Sequence, residues 1–93
     1  MAEIIVVQKE LSPQVVCEVV VKENGSQTKH CVTVPEAYFQ LLTNGKMSEI
    51  KCVETAFKFL LDHEPKESIM ASFDLTVIEQ YFPDFKSKFI QYR

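Results

Sequence analysis

The chain has 93 residues, 46% of them hydrophobic and 25% charged, with two glycines and four prolines. That is globular usage, far from a disordered or collagen-like composition, and the length predicts one domain, residues 1–93, with one core. A net charge of -3 with a single arginine, Arg93, argues against nucleic acid as a partner, because phosphate affinity comes from lysines and arginines that displace condensed counterions.

The opening MAEIIVVQKE carries no basic leader. Its apolar run from Ile4 to Val7 is shorter than a signal-peptide core of about 7 to 15 residues, so neither export nor a membrane is expected. Ile4 to Glu10 reads as a strand because β-branched residues dominate it, and Leu11-Ser12-Pro13-Gln14 breaks the run. A second strand is predicted from Val15 to Glu23. Asn24-Gly25 then marks a two-residue hairpin, since a type I′ turn needs positive φ at both central positions. Ser26 to Val34 returns antiparallel.

This turn sets a register. Val21 faces Thr28, Val19 faces His30, Cys17 faces Val32 and Val15 faces Val34 on the core side. The other side pairs Val16 with Thr33, Glu18 with Cys31, Val20 with Lys29 and Lys22 with Gln27. Ile4 and Val6 lie on one face of the first strand, and Ile5 and Val7 on the other. The second face of a meander would then collect Val16, Val20, Cys31 and two first-strand residues, which is too much contiguous apolar surface to leave wet without consequence.

After Val34 the period changes to about 3.6 residues. Pro35 opens a helix with Ala37, Tyr38, Leu41 and Leu42 on one side, and Asn44-Gly45 ends it as a left-handed cap. Ser48 caps a second helix whose stripe is Ile50, Val53, Phe57, Leu60 and Leu61, with Glu54 and Lys58 paired outside and Pro65 as its stop. Ile69, Met70 and Phe73 suggest a further helical turn. Asp74 caps a segment holding Leu75, Ile78, Tyr81 and Phe82 up to Pro83, and Phe85, Phe89 and Tyr92 follow at helical spacing. The predicted class is α+β: a three-stranded antiparallel β-meander followed by three to four α-helices.

A nucleophile elbow, a phosphate-cradling glycine loop, a zinc helix and a calcium loop are all absent from the sequence. His30 and Cys31 are adjacent on a strand and so point to opposite faces, which keeps imidazole and thiol apart. His30 reads as a partly buried side chain satisfied by a neighbour. Cys17, Cys31 and Cys52 form an odd set without CxxC or metal-ligand spacing, as expected of free thiols in a reducing cytoplasm. Asp62-His63-Glu64 is accounted for by a histidine near a helix C-terminus, and no metal or cofactor is expected.

Tyr81, Phe82, Phe85, Phe89 and Tyr92 alternate with Lys86, Lys88 and Arg93, a combination found in single-strand binders but equally in a core helix with a basic end. The segment HCVTVPEAYFQLLTNGKMSEIKCVETAFKFLL resembles a ribbon-helix-helix regulator: a strand, a Pro-led helix, a turn and a second amphipathic helix. The resemblance covers about a third of the chain, and it implies a strand paired across a dimer that reads DNA through Lys29, Cys31 and Thr33. In this sequence, however, that strand already has a hairpin partner.

The expected function is a small cytoplasmic, non-catalytic protein-interaction or regulatory domain acting through the second sheet face and the aromatic C-terminal segment. Val16, Val20, Cys31, Phe85, Phe89 and Tyr92 are its expected partner-binding residues. The partner is another protein or a second copy, since a homodimer would also remove a free sheet edge. A ribbon-helix-helix-like nucleic-acid-binding regulator is the alternative. Either the C-terminal segment or a second protomer is expected to roof the outer face.

Overall fold

A computed structural model describes residues 2–11 and 13–92. Ser12 of the first turn and Arg93 lie outside the described residues. The architecture is α+β: one four-stranded sheet in the order β1-β2-β3-β4 carries its helices on a single face.

Strands β1 (Glu3–Glu10), β2 (Val15–Glu23) and β3 (Ser26–Val34) form the expected meander. The β2–β3 register is the one that the turn dictates, from Val15 against Val34 to Glu23 against Ser26. Asn24 and Gly25 have φ of 56° and 78°, the positive values that let a two-residue turn follow the strand twist. A bulge between Gln8 and Glu10 interrupts β1. A bulge twists an edge strand away from further pairing.

Helix α1 (Glu36–Thr43) follows Pro35 and ends at Asn44, whose φ is 53°. Its buried side is Tyr38, Phe39, Leu42 and Thr43, whereas Leu41 is 69% exposed. The helix is thus rotated from the predicted Ala37–Leu41 side, because turning Phe39 inward removes more apolar area from water than Ala37 can. The Thr43 hydroxyl tolerates this by donating to the Phe39 carbonyl at 2.8 Å.

Helix α2 (Glu49–His63) starts at Ser48, whose side chain accepts from the Lys51 amide at 3.1 Å. It is buried on a wider arc than one stripe. Phe57 packs against His30 and Phe73 on the sheet side, while Phe59 meets Phe85 and Tyr92 of the C-terminal helix. Being covered from two sides, α2 also buries Cys52 and Ala56, while Ile50 at one end stays partly exposed. Glu54 forms its ion pair with Lys51, at 3.2 Å.

Beyond Pro65 the structure departs from the predicted helical turn at Ile69–Phe73. A 3-10 turn, Lys66–Ser68, leads into a short strand, β4 (Ser72–Asp74), which pairs parallel with β3. The Cys31 amide donates to Ala71 O at 2.7 Å, and the Leu75 amide donates to Thr33 O at 3.1 Å. The free edge of β3 supplies hydrogen-bond partners that a local helix could not match, and α1 with α2 forms the crossover that a parallel pair requires.

Helix α3 (Thr76–Tyr81) begins where Asp74 Oδ1 accepts from the Thr76 amide at 2.9 Å. Helix α4 (Phe85–Tyr92) completes the chain and packs against α2, α1 and α3. Tyr38 on α1 donates to Glu79 on α3 at 2.8 Å, and Glu79 also meets Lys86 of α4 at 3.6 Å. The buried apolar residues form one cluster running from Cys17, Val19, Val21, Val32 and Val34 to the helices.

Candidate functional site

The outer face of the sheet is built by register alone. One cross-strand row holds Ile5, Val20 and Lys29, the next Val7, Glu18, Cys31 and Ser72, and the third Val16, Thr33 and Asp74. Val16 and Val20 are half-buried by their neighbours in the sheet, Val7 is 46% exposed and Cys31 is exposed. None of Ile5, Val7, Val16 and Val20 belongs to the core cluster or packs against it. Among the described residues, no helix lies over this face.

The C-terminal segment, one of the two coverings expected for the outer face, packs on the helical side instead. Phe85 and Phe89 are 0% exposed and sit in the core, so in this fold they offer no surface to a partner. Tyr92 is half-buried beside them and donates to Asp62 Oδ2 at 2.6 Å, which ties the end of α4 to the end of α2. The six residues expected to act together therefore divide. Val16, Val20 and Cys31 share the outer face; Phe85, Phe89 and Tyr92 lie on the helical side, where three aromatics gain more from mutual edge contacts than from covering a face across the sheet.

The histidines have structural partners. His30 Nδ1 donates to the Met70 carbonyl at 2.7 Å, and its Nε2 shares a hydrogen bond of 2.8 Å with the Thr28 hydroxyl. His63 Nδ1 donates to the Phe59 carbonyl at 2.8 Å. Among the described residues, no three His, Cys, Asp or Glu side chains gather as metal ligands.

All three cysteines are free thiols. Burial first, and then the Glu49 carboxylate, pushes Cys17 up from 9.0 to about 11 and Cys52 from 9.0 to about 12. A thiol whose folded pKa is raised contributes stability that is fully present below the unfolded value near 9 and is lost as pH rises through about 11 to 12. A neutral thiol reagent is expected to modify Cys31 in the native state at the rate of an exposed peptide thiol. Cys17 and Cys52 should react only at the rate of opening, which peptide mapping by mass spectrometry reads directly. A Cys31 rate well above the peptide value would point to an activated nucleophile instead.

A cavity of about 370 Å³ lies where the end of α2 meets the 3-10 turn, β4 and α3. Its floor is Leu60, Ile69, Phe73 and Ile78, all buried, and its rim carries Glu64, Met70 and Tyr81. Glu64 sits just past the last turn of α2, and burial raises its carboxyl pKa despite the opposing influence of His63. Among the described residues, no lysine or arginine forms an ion pair with it. The sequence alone does not reveal this site, because it depends on β4. Its one visible signal was a string of large apolar residues, Ile69, Met70, Tyr81 and Phe82, in a region dense with turn residues.

Among the described residues, no helix is long and apolar enough to cross a membrane. No protein-family model, no curated protein and no solved structure significantly matches this chain.

Proposed function

We propose that this chain is a small, non-catalytic interaction domain that pairs with a second copy of itself through the outer face of its sheet. The observation that carries the proposal is the Ile5–Val20 row with Val7 and Val16 beside it, apolar side chains held away from the core cluster. Charge arrangement favours a second copy as the occupant. Lys22 and Lys29 outweigh Glu3 toward the hairpin turn, while Glu18 and Asp74 outweigh Lys9, which pairs with Glu18 at 3.9 Å, toward the opposite end. A two-fold axis running across the strands sets the basic end of one protomer over the acidic end of the other.

Area sets the strength. Three long strands of eight or nine residues, about 4.8 Å apart and rising about 3.3 Å per residue, give two such faces an interface on the order of 1,000 Å². That is the lower end for specific pairing, so association is weak and concentration-dependent. Three free thiols, including the exposed Cys31, suit a reducing compartment such as the cytoplasm.

The ribbon-helix-helix alternative needs a strand free to pair with its own copy. Here β3 is bonded to β2 along one edge and to β4 along the other, which favours face-to-face association over a shared ribbon.

Light scattering across a dilution series tests the proposal. The native chain is expected to pass from monomer to dimer as concentration rises. Val20→Lys should stay monomeric throughout while keeping its fold, because a lysine on a half-exposed strand position can place its ammonium in water. A native chain that remains monomeric at the highest concentration would remove the self-pairing reading.

A further inference from the structure

The cavity at the end of α2 carries an inference independent of the outer face. At about 370 Å³ it falls at the small end of the range for small-molecule sites, about 300 to 1,000 Å³. Its chemistry has two parts. The floor of Leu60, Ile69, Phe73 and Ile78 offers apolar contact without a polar demand, and the rim supplies one carboxylate, Glu64, which among the described residues has no lysine or arginine in an ion pair with it. Rings of Tyr81 and Phe82 line the same cavity, and an aromatic face attracts a cation.

Neighbouring charges reinforce the selection. His63, next to Glu64 in the chain, opposes the effect of burial on that carboxyl but gives its Nδ1 to the Phe59 carbonyl at 2.8 Å, while Lys66 is buried and committed to Glu67 at 2.7 Å. Glu64 is therefore left to a charge brought from outside. An anionic ligand would meet a carboxylate that no lysine or arginine pairs with among the described residues, and a neutral one would leave that carboxylate partly desolvated.

We propose that this cavity is a binding site for a small molecule with an aromatic or aliphatic body and one cationic amine, the body lying on the Leu60–Phe73–Ile78 floor and the ammonium pairing with Glu64. The pair sits at a rim and not in a sealed interior, so its effect is moderate.

Three probes with one body separate the terms: 4-phenylbutylamine, 4-phenylbutanol and 4-phenylbutyrate, each titrated into the isotope-labelled full chain and followed by amide and methyl chemical shifts. The amine is expected to saturate shifts at Ile69, Met70 and Tyr81 and to bind about three- to tenfold more tightly than the alcohol, with the carboxylate weakest. Glu64→Gln should bring the amine down to the affinity of the alcohol and leave the alcohol unchanged. Val20→Lys, on the far side of the sheet, should change none of the three. Equal binding of amine and alcohol, shifts that map elsewhere, an unaltered preference in Glu64→Gln, or no saturable binding by any probe would each overturn the proposal.

Discussion

Phe59→Ala is expected to destabilise the fold by about 3 to 5 kcal/mol, the range for removing a buried phenyl group from a core that cannot collapse around the void. Phe59 is 0% exposed. Its ring meets Phe82, Phe85 and Tyr92 edge-on, with centroids 5.0 to 5.8 Å away, and lies 4.3 Å from His63. A domain of this size holds roughly 5 to 10 kcal/mol in total, so the variant should lose from about a third to nearly all of its stability. Because Phe59 joins α2 to α3 and α4, while Phe57 joins it to the sheet, the loss should fall unevenly. Urea unfolding gives the total, and amide exchange should show α4 opening well before β2 and β3. Equal acceleration in α4 and the meander would mean that the helical layer does not open as a separate unit.

His30→Ala is expected to cost about 2 to 4 kcal/mol, combining a small cavity with one part-buried carbonyl deprived of its donor. The imidazole is 3% exposed, packs 5.3 Å from Phe57 and holds the Met70 carbonyl through Nδ1. It thereby fastens the chain just before β4 to the face of β3, next to the Cys31–Ala71 hydrogen bond. Exchange of the Cys31 amide should accelerate most, since its acceptor sits on the released segment. His30→Asn, which can place an amide donor near the former Nδ1 position, should recover about 1 kcal/mol. If Asn and Ala behave alike, ring packing and not the hydrogen bond accounts for the effect. The same release would open the wall of the α2-end cavity at Ile69, Met70 and Phe73.

These two positions show where local reading succeeds and where it stops. His30 is placed on the core face by counting forward from Asn24-Gly25, because a two-residue turn leaves one register and side chains alternate along a strand. Its partner, Met70, is 40 residues away and no local rule connects them. Phe59 falls outside the predicted α2 stripe because a single amphipathic period assigns one buried face. Only the docking of α4 on the far side makes a second.

The C-terminal aromatics show the same limit from the other direction. Helical spacing of Phe85, Phe89 and Tyr92 identified an element with an apolar side, but spacing carries no information about which surface that side meets. The sheet face and the α2 flank were both apolar candidates, and mutual contact among Phe59, Phe82 and Phe85 decided for the flank.

What the residues decided by themselves is whatever a few neighbours can impose: the β1–β2–β3 meander, the register of β2 on β3, the Asn24-Gly25 turn, the Asn44 and Ser48 caps, and the presence of valines on both sheet faces. Tertiary structure alone decided the parallel β4, the rotation of α1 toward Phe39, the burial of Phe85 and Phe89, and the cavity below Glu64. The physical reason is the range of the forces. Backbone sterics and caps act within a turn or two, whereas the free edge of β3 and the last exposed flank of α2 exist only once the rest has packed, and burial then selects among segments that look alike in isolation.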